Sequence, residues 1–430
     1  MKRVVCLLLC VLFALSLFGC GGGSTEPTPT PATPTPAAPT PDGGGETPDE
    51  PLEPIRIGLI YERSGAMAHW GIQEYRGFRV GLLYATNGTM EIDGRPIELF
   101  TEDTASDVGT AVRVATRLIE DVGVHVLSGT AQSQNALAVM PLIETAGIPY
   151  VIGCAAVDAI TGEFWNEWTF RTGRNLYQGI AANNLAREVI NPGGMEGSTW
   201  SFISPDFVGG REGVESAVVT VEAEGGIVLD TMFPPLDTMD FSPYLQRIRQ
   251  SQPDFLMVQI IGDNFTVQLP QQFQDMGLSQ HTQFLSAITD HAFLETIGEA
   301  GIGIAGECVY HYSLFDTPAN AFLIEMHQEL FNGLMPDYWS GQSFASAQAI
   351  VEAIRLAGST EPAAIQDALR GLEFFSIKGR MFIRPEDHQA MQDMAIAIII
   401  SDGQGGVTLE PLGIIPADQI TPPITAPGRG

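Results

Sequence analysis

Few side chains in this chain are spaced for chemistry. The seven histidines are scattered; there is no His-Glu-x-x-His pair to hold zinc on a helix and no Gly-x-x-x-x-Gly-Lys loop to cradle phosphate. Gly341-Gln342-Ser343-Phe344-Ala345 half matches a nucleophile elbow, the tight turn that lifts a serine above a sheet. It stands at an expected helix start, so it reads as a cap. Glu102-Asp103 could exchange protons, but carboxylates at a strand end more often cap the helix that follows. His311 and His388 read as structural or solvent-facing. No catalytic set emerges, so neither an enzyme nor a cofactor or metal is expected.

One reactive position lies near the N-terminus. Residues 1–20 read MKRVVCLLLCVLFALSLFGC: a basic pair, Lys2-Arg3, then an apolar run too short for a bilayer but suited to an export signal. Leu17-Phe18-Gly19-Cys20 is similar to a bacterial lipobox, in which the Cys20 thiol would carry diacylglycerol; Phe18 is larger than the usual residue there. Residues 21–54 follow with ten prolines, seven threonines, six glycines and no aromatic side chain. Such a segment cannot bury enough apolar surface to fold. As an extended tether it could reach roughly 100 Å, at about 3.1 Å per residue. Cys6 and Cys10 leave with the signal, and Cys154 and Cys308 remain, read as two buried free thiols.

Lys plus Arg total 21 against 51 Asp plus Glu, and only Lys2 and Lys378 are lysines. The net charge of −30 therefore reflects missing cations, which excludes a chain that neutralises nucleic-acid phosphates in bulk. No hydrophobic run beyond the first twenty residues is long and isolated enough to span a membrane.

The elements that must position any site follow from Ile55 onward. Short apolar runs, IRIGLIYE (55–62), RPIELFTED (95–103), VHVLSG (124–129) and IPYVIG (148–153), alternate with amphipathic stretches near 71–86, after Ser106-Asp107, and near 134–146. The alternation restarts after about 175, with a helix near 176–190, TWSFIS (199–204), DFLMVQII (254–261), a helix near 264–276, QFLSAIT and GECVYHYS (306–313). Helices near 320–332, 342–357 and 362–371 follow, and DMAIAIIIS (393–401) reads as a last strand. Two series of this kind predict an α/β chain of two doubly wound parallel-sheet lobes, with an interlobe ligand cleft and hinge closure over a ligand.

Several segments resemble the type I periplasmic binding proteins, and within them the leucine/isoleucine/valine-binding proteins of ABC importers. They are Ser64-Gly65, Trp70-Gly71, Gly77, Asn87-Gly88, GRPIE (94–98), Glu102-Asp103, GTAQSQNALAVMPLIETAGIPYV (129–151), FRTG (170–173), PDFVGG (205–210) and PEDHQAMQDM (385–394). The resemblance spans roughly 55–401. It implies a lipid-anchored extracytoplasmic receptor, a monomer, that delivers a small-molecule ligand to a membrane permease without chemistry. A surface sensor signalling to a membrane partner is the alternative. It also implies a multi-strand hinge with crossings near 173, 311 and 378: lobe one as 55–172 plus 312–377, lobe two as 173–311 plus 378–417, and a flexible tail at 418–430.

Carried over residue by residue, the resemblance puts Ser133 at a helix start where a hydroxyl and free N–H groups hold a ligand carboxylate, with the dipole adding several tenths of a kcal/mol. Gln132 adds an amide. Trp70 becomes a wall of the side-chain pocket, joined by Ala156, Val157 and Phe207. Asp290 or Asp158 would meet an α-ammonium. Val157 stands where amino-acid binders carry Thr or Ser, and Gly209 where they carry Tyr. The expected ligand is therefore a branched-chain amino acid or a related small carboxylate or amide.

Overall fold

The computed structural model of the protein describes residues 52–190, 192, 195–258, 264–286 and 291–428. The signal segment, Cys20, most of the tether and Asp290 lie outside the described residues.

Strand β1 (Ile55–Tyr61) is buried at every position but Arg56, the near-continuous apolar run of a strand covered on both faces. After it come α1 (Ala68–Ala85), β2 (Glu91–Ile92), β3 (Arg95–Asp103), α2 (Val108–Arg117), β4 (Val126–Ser128), α3 (Ser133–Ala146), β5 (Tyr150–Ile152) and β6 (Thr169–Arg171). The sheet order is β2-β3-β1-β4-β5-β6, parallel except for β2. Asp107 caps α2 as expected, its carboxylate accepting from the Thr110 N–H at 2.8 Å.

The second series runs α4 (Leu176–Ile190), β7 (Thr199–Ile203), α5 (Val208–Ala223), β8 (Ile227–Met232), α6 (Ser242–Ser251), β9 (Phe255–Val258), α7 (Leu269–Asp275), β10 (Gln283–Ser286), α8 (His291–Ile297) and β11 (Ala305–Cys308). Then follow α9 (Pro318–Leu330), α10 (Tyr338–Ala357), α11 (Pro362–Leu369), β12 (Glu373–Ser376), β13 (Gly379–Ile383), β14 (Ala390–Gln392), β15 (Met394–Ser401) and β16 (Val407–Ile415). The second sheet is ordered β16-β15-β11-β10-β9-β7-β8, with β15 and β16 antiparallel to the rest or to each other. This is the expected α/β architecture of two lobes, each with a parallel sheet.

Helix α10 returns to lobe one and packs along α1. Two glycines allow the approach: a Cβ on Gly77 would fall 1.9 Å from the Ser340 carbonyl oxygen, and one on Gly81 2.5 Å from that of Phe344. Phe78 and Leu82 of α1, Ile350 and Ile354 of α10, and Ile57 of β1 share one buried cluster.

Three expectations change. The strand 394–401 is not the last, because β16 pairs beside it; Pro411 disguised β16 in the sequence, and it sits opposite Ala397 at a register shift on the sheet edge, where a missing N–H is tolerated. The crossing expected near 378 comes later. Phe374, Met381, Ile383 and Ala390 of the antiparallel sheet β12-β13-β14 pack in the same cluster as Ile57, and the chain joins the second sheet only at Met394. The C-terminal segment is packed: Ile420 is fully buried, and the Pro422 carbonyl accepts from Arg384 Nη1 at 2.9 Å.

Candidate functional site

In open parallel sheets the crevice for a ligand forms at the carboxyl ends of strands where the order reverses. In lobe one the reversal lies between β1 and β4, and in lobe two between β7 and β9. The residues just past these strands converge on one cavity of about 420 Å³. Lobe one sends Trp70 from α1, Gln132 and Ser133 from the start of α3, and Ala156 and Val157 from the loop after β5. Lobe two sends Phe207 from the loop after β7. Six of the residues expected to hold ligand thus line the same space, and the seventh, Asp290, lies outside the described residues.

The start of α3 is open toward the cavity. Gln132 occupies its cap position without a side-chain cap bond, and the Gln132 Oε1 atom is buried with no hydrogen-bond partner. Behind this loop Glu62 is fully buried. Its carboxylate accepts from the Thr130 hydroxyl, from the Ala131 N–H at 3.1 Å and from Asn135 Nδ2 at 3.0 Å. Those bonds hold the loop that ends in Ser133. Burial beside Glu62 raises the Glu74 carboxyl well above the usual carboxylate range, and burial together with Glu74 likewise raises the Cys154 thiol. Cys154 and Cys308 are both free and buried, as read from the sequence.

On the same side Trp70 stacks on Trp339, with ring centroids 5.5 Å apart at 30°. Val157 is held from beneath: its carbonyl accepts from Nη1 of the fully buried Arg171, whose Nε donates to Gln389 at 2.6 Å and Nη2 to the Thr161 hydroxyl at 2.6 Å.

Asp158 does not line the cavity; its carboxylate accepts from the Tyr177 N–H at the start of α4. The acidic residue that does is Glu307 on β11, which sequence reasoning missed together with Arg174, just before α4. Arg174 Nη2 donates to Glu307 Oε1 at 3.0 Å, and both side chains are nearly buried. Gly179 of α4 leaves room for this carboxylate, since a Cβ there would fall 2.5 Å from Oε2. Burial pushes the Glu307 carboxyl up, while Arg174 and Lys378 pull it down. The available signal was a lone acid inside the apolar run AGECVY (305–310), because a charge in a buried strand needs a partner.

The other sequence candidates are structural. Asp103 accepts from the Arg63, Ser64 and Ala105 N–H groups, and Glu102 pairs with Arg117. Ser343 lies within α10 and its hydroxyl donates to the Glu74 carbonyl. His388 stacks on Phe170 at 4.1 Å and its Nδ1 meets the Thr169 carbonyl oxygen at 3.0 Å.

Comparison with known proteins bears on the fold and the family. A family model described as periplasmic binding protein matches residues 54–404. A "Leu/Ile/Val-binding protein homolog 6" of Brucella suis is 24% identical, over 82% of this chain and 89% of that protein. An ABC-type branched-chain amino acid transporter structure from Rhodopseudomonas palustris CGA009 is 30% identical with a TM-score of 0.75, covering 86% of this chain and 99% of its own. A solute-binding protein of an ABC transporter from Rhodopseudomonas palustris HaA2, solved with p-hydroxybenzoic acid, is 26% identical with a TM-score of 0.75, covering 84% and 97%. With two doubly wound lobes, a cleft at both strand-order reversals and a family match across most of its length, the chain belongs to the periplasmic binding protein family.

Proposed function

We propose that this extracytoplasmic solute-binding protein of an ABC importer closes its lobes over a small carboxylate with an apolar, ring-sized body and delivers it to a membrane permease. The observation that carries this reading is the cavity itself: an open α3 N-terminus with Ser133 on one wall, next to the stacked Trp70 and Trp339. A helix N-terminus favours an anion, and the tryptophans favour a flat or branched apolar body. Among the described residues Glu307 is the one acid lining the cavity, and Arg174 already neutralises it. Among the described residues an α-ammonium would therefore find no uncompensated anion, and an unpaired buried charge is costly. That favours a carboxylate without an amino group over leucine, isoleucine or valine. The p-hydroxybenzoic acid held by the Rhodopseudomonas palustris HaA2 relative supports the same class.

In this reading residues 1–20 direct export, Cys20 carries the lipid, residues 21–54 hold a monomeric binding unit away from the membrane, and the permease recognises the closed form. Among the described residues no helix is long and apolar enough to cross a membrane.

Thermal melting of the full chain against benzoate, its hydroxylated forms, short-chain carboxylates, amides and the branched-chain amino acids tests the reading. A ligand at 1,000 times its Kd adds roughly 4 kcal/mol, so the aromatic carboxylates should raise Tm by several degrees and the amino acids should not. A shift with leucine, isoleucine or valine and none with benzoates overturns it.

A further inference from the structure

The lobe-two wall of the cleft carries two polar atoms that nothing in the fold satisfies. Arg174 and Glu307 are joined through one bond, Nη2 to Oε1 at 3.0 Å, although a guanidinium and a carboxylate can form two in parallel. The second pair is open: Arg174 Nε and Glu307 Oε2 are both buried without a hydrogen-bond partner. Both residues line the cavity, Glu307 at 3% exposure. The geometry is not slack. Glu307 is fixed through its own backbone, whose N–H donates to Asn183 Oδ1 at 2.7 Å, and its carboxylate rests against Gly179, where any side chain would displace it. At this wall of the cavity the pair therefore holds an unmet donor, Arg174 Nε, and an unmet acceptor, Glu307 Oε2, on side chains of opposite charge.

We propose that Arg174 and Glu307 form a ligand subsite for an uncharged group that accepts one hydrogen bond and donates another, a hydroxyl on the ligand's ring at the end away from its carboxylate. This rests on the carboxylate reading above and extends it. Each alternative leaves at least one of the two atoms unmet or opposed. A second carboxylate would accept from Nε but face Oε2 as a like charge. An ammonium would donate to Oε2 but leave Nε unmet and lie beside the Arg174 cation. An apolar edge would leave both atoms orphaned, the costliest state for buried polar groups. A hydroxyl has the needed inventory in a single oxygen, and a phenol keeps its proton near neutrality. The subsite thus acts chiefly by exclusion: it rejects analogues that leave its polar atoms unpaired, which discriminates more sharply than added apolar contact does.

Calorimetric titration of the full chain with benzoate, 3- and 4-hydroxybenzoate, and the matching 1,3- and 1,4-dicarboxylates tests the subsite. One hydroxybenzoate is expected to bind at least tenfold tighter than benzoate, and neither dicarboxylate better than benzoate. In Glu307→Gln the amide can still accept from Arg174 but turns a donor to the cavity and leaves the Arg174 charge uncompensated. Its preference should reverse, with the hydroxyl gain lost and a dicarboxylate becoming the tighter ligand. Equal binding of benzoate and both hydroxybenzoates by the unaltered chain overturns the subsite while leaving the carboxylate reading intact. This comparison stands even if the variant does not fold. A folded Glu307→Gln protein that keeps the hydroxyl preference also overturns the subsite, and absence of binding by every benzoate overturns both readings.

Discussion

Lys378 is the one lysine among the described residues, and it is buried. Its Nζ donates to the amide oxygens of Gln342, at 3.4 Å, and Gln392. Around it stand Arg174, Asp393, Glu307 and Cys308; burial first, and then the Arg174 charge, pulls the ammonium down to about 7. In the unfolded chain the same group titrates at about 10.4. Between those values the unfolded state binds more protons, so this residue makes stability rise with pH from about 7 upward, while below 7 its contribution is flat. Denaturant melts between pH 7 and 8, below the ionisation of unfolded thiols and tyrosines, should show that rise in the unaltered chain and a shallower slope in Lys378→Met. Parallel pH curves for the two would show that Lys378 stays fully charged in the fold. The slope is the readout, because the substitution also strips two amide oxygens of their donor and changes the absolute level.

At the scale of elements, the closest joint is the crossing of α1 and α10. Gly77 and Gly81 are one turn apart on α1 and face α10 backbone, not side chains that could turn away. Gly77→Ala would favour the helix by about 1 kcal/mol in isolation, yet its Cβ would fall 1.9 Å from the Ser340 carbonyl oxygen. The helices would have to separate, and overpacking costs about 1–3 kcal/mol or more. Calorimetry should therefore record a lower Tm for Gly77→Ala. Gly109→Ala in α2, where a Cβ meets only the Asp107 carboxylate at 3.5 Å, should leave Tm unchanged or raise it. If both substitutions behave alike, propensity rather than packing governs this helix. The same joint carries function, because α10 begins with Tyr338 and Trp339, which line the cleft on the same wall as Trp70.

For the whole molecule the question is how the lobes pivot. The segments joining them carry polar ties beside buried apolar residues such as Tyr310, Ile377 and Met394. Gln389 Nε2 donates to the Gly173 carbonyl at 2.8 Å, Gln392 Nε2 to that of Thr172 at 3.0 Å, and Arg171 bridges β6 to Gln389. Hydrogen bonds of this kind can persist or exchange while the backbone turns. A ligand closes the cleft only if it binds the closed form better, so it needs contacts from both walls. Small-angle scattering should show the radius of gyration falling when a stabilising carboxylate saturates the protein. An unchanged radius at saturation would mean that the ligand is held by one lobe alone.

The parts legible in the amino-acid order are those written between neighbours. Alternating apolar runs and amphipathic stretches located β1, β3, α3, α4 and β7 to within a few residues, and Asp107 declared its helix start because a cap acts only on the turn that follows it. Trp70, Gln132 and Ser133 come from the family resemblance, and they line the cavity because they follow strands whose carboxyl ends face it. β16 and the 379–392 hairpins were hidden: Pro411 breaks the strand pattern, and which core the hairpins join depends on the whole first lobe. Arg174 and Glu307 stand 133 positions apart, and no local signal links a loop arginine to a glutamate in a distant strand. Only the folding of α4 against β11, with Gly179 leaving space between them, brings that pair together at the wall of the cleft. Sequence by itself determined the lobes and the class of site; tertiary structure decided its polar end, because long-range pairing follows from packing that no short window contains.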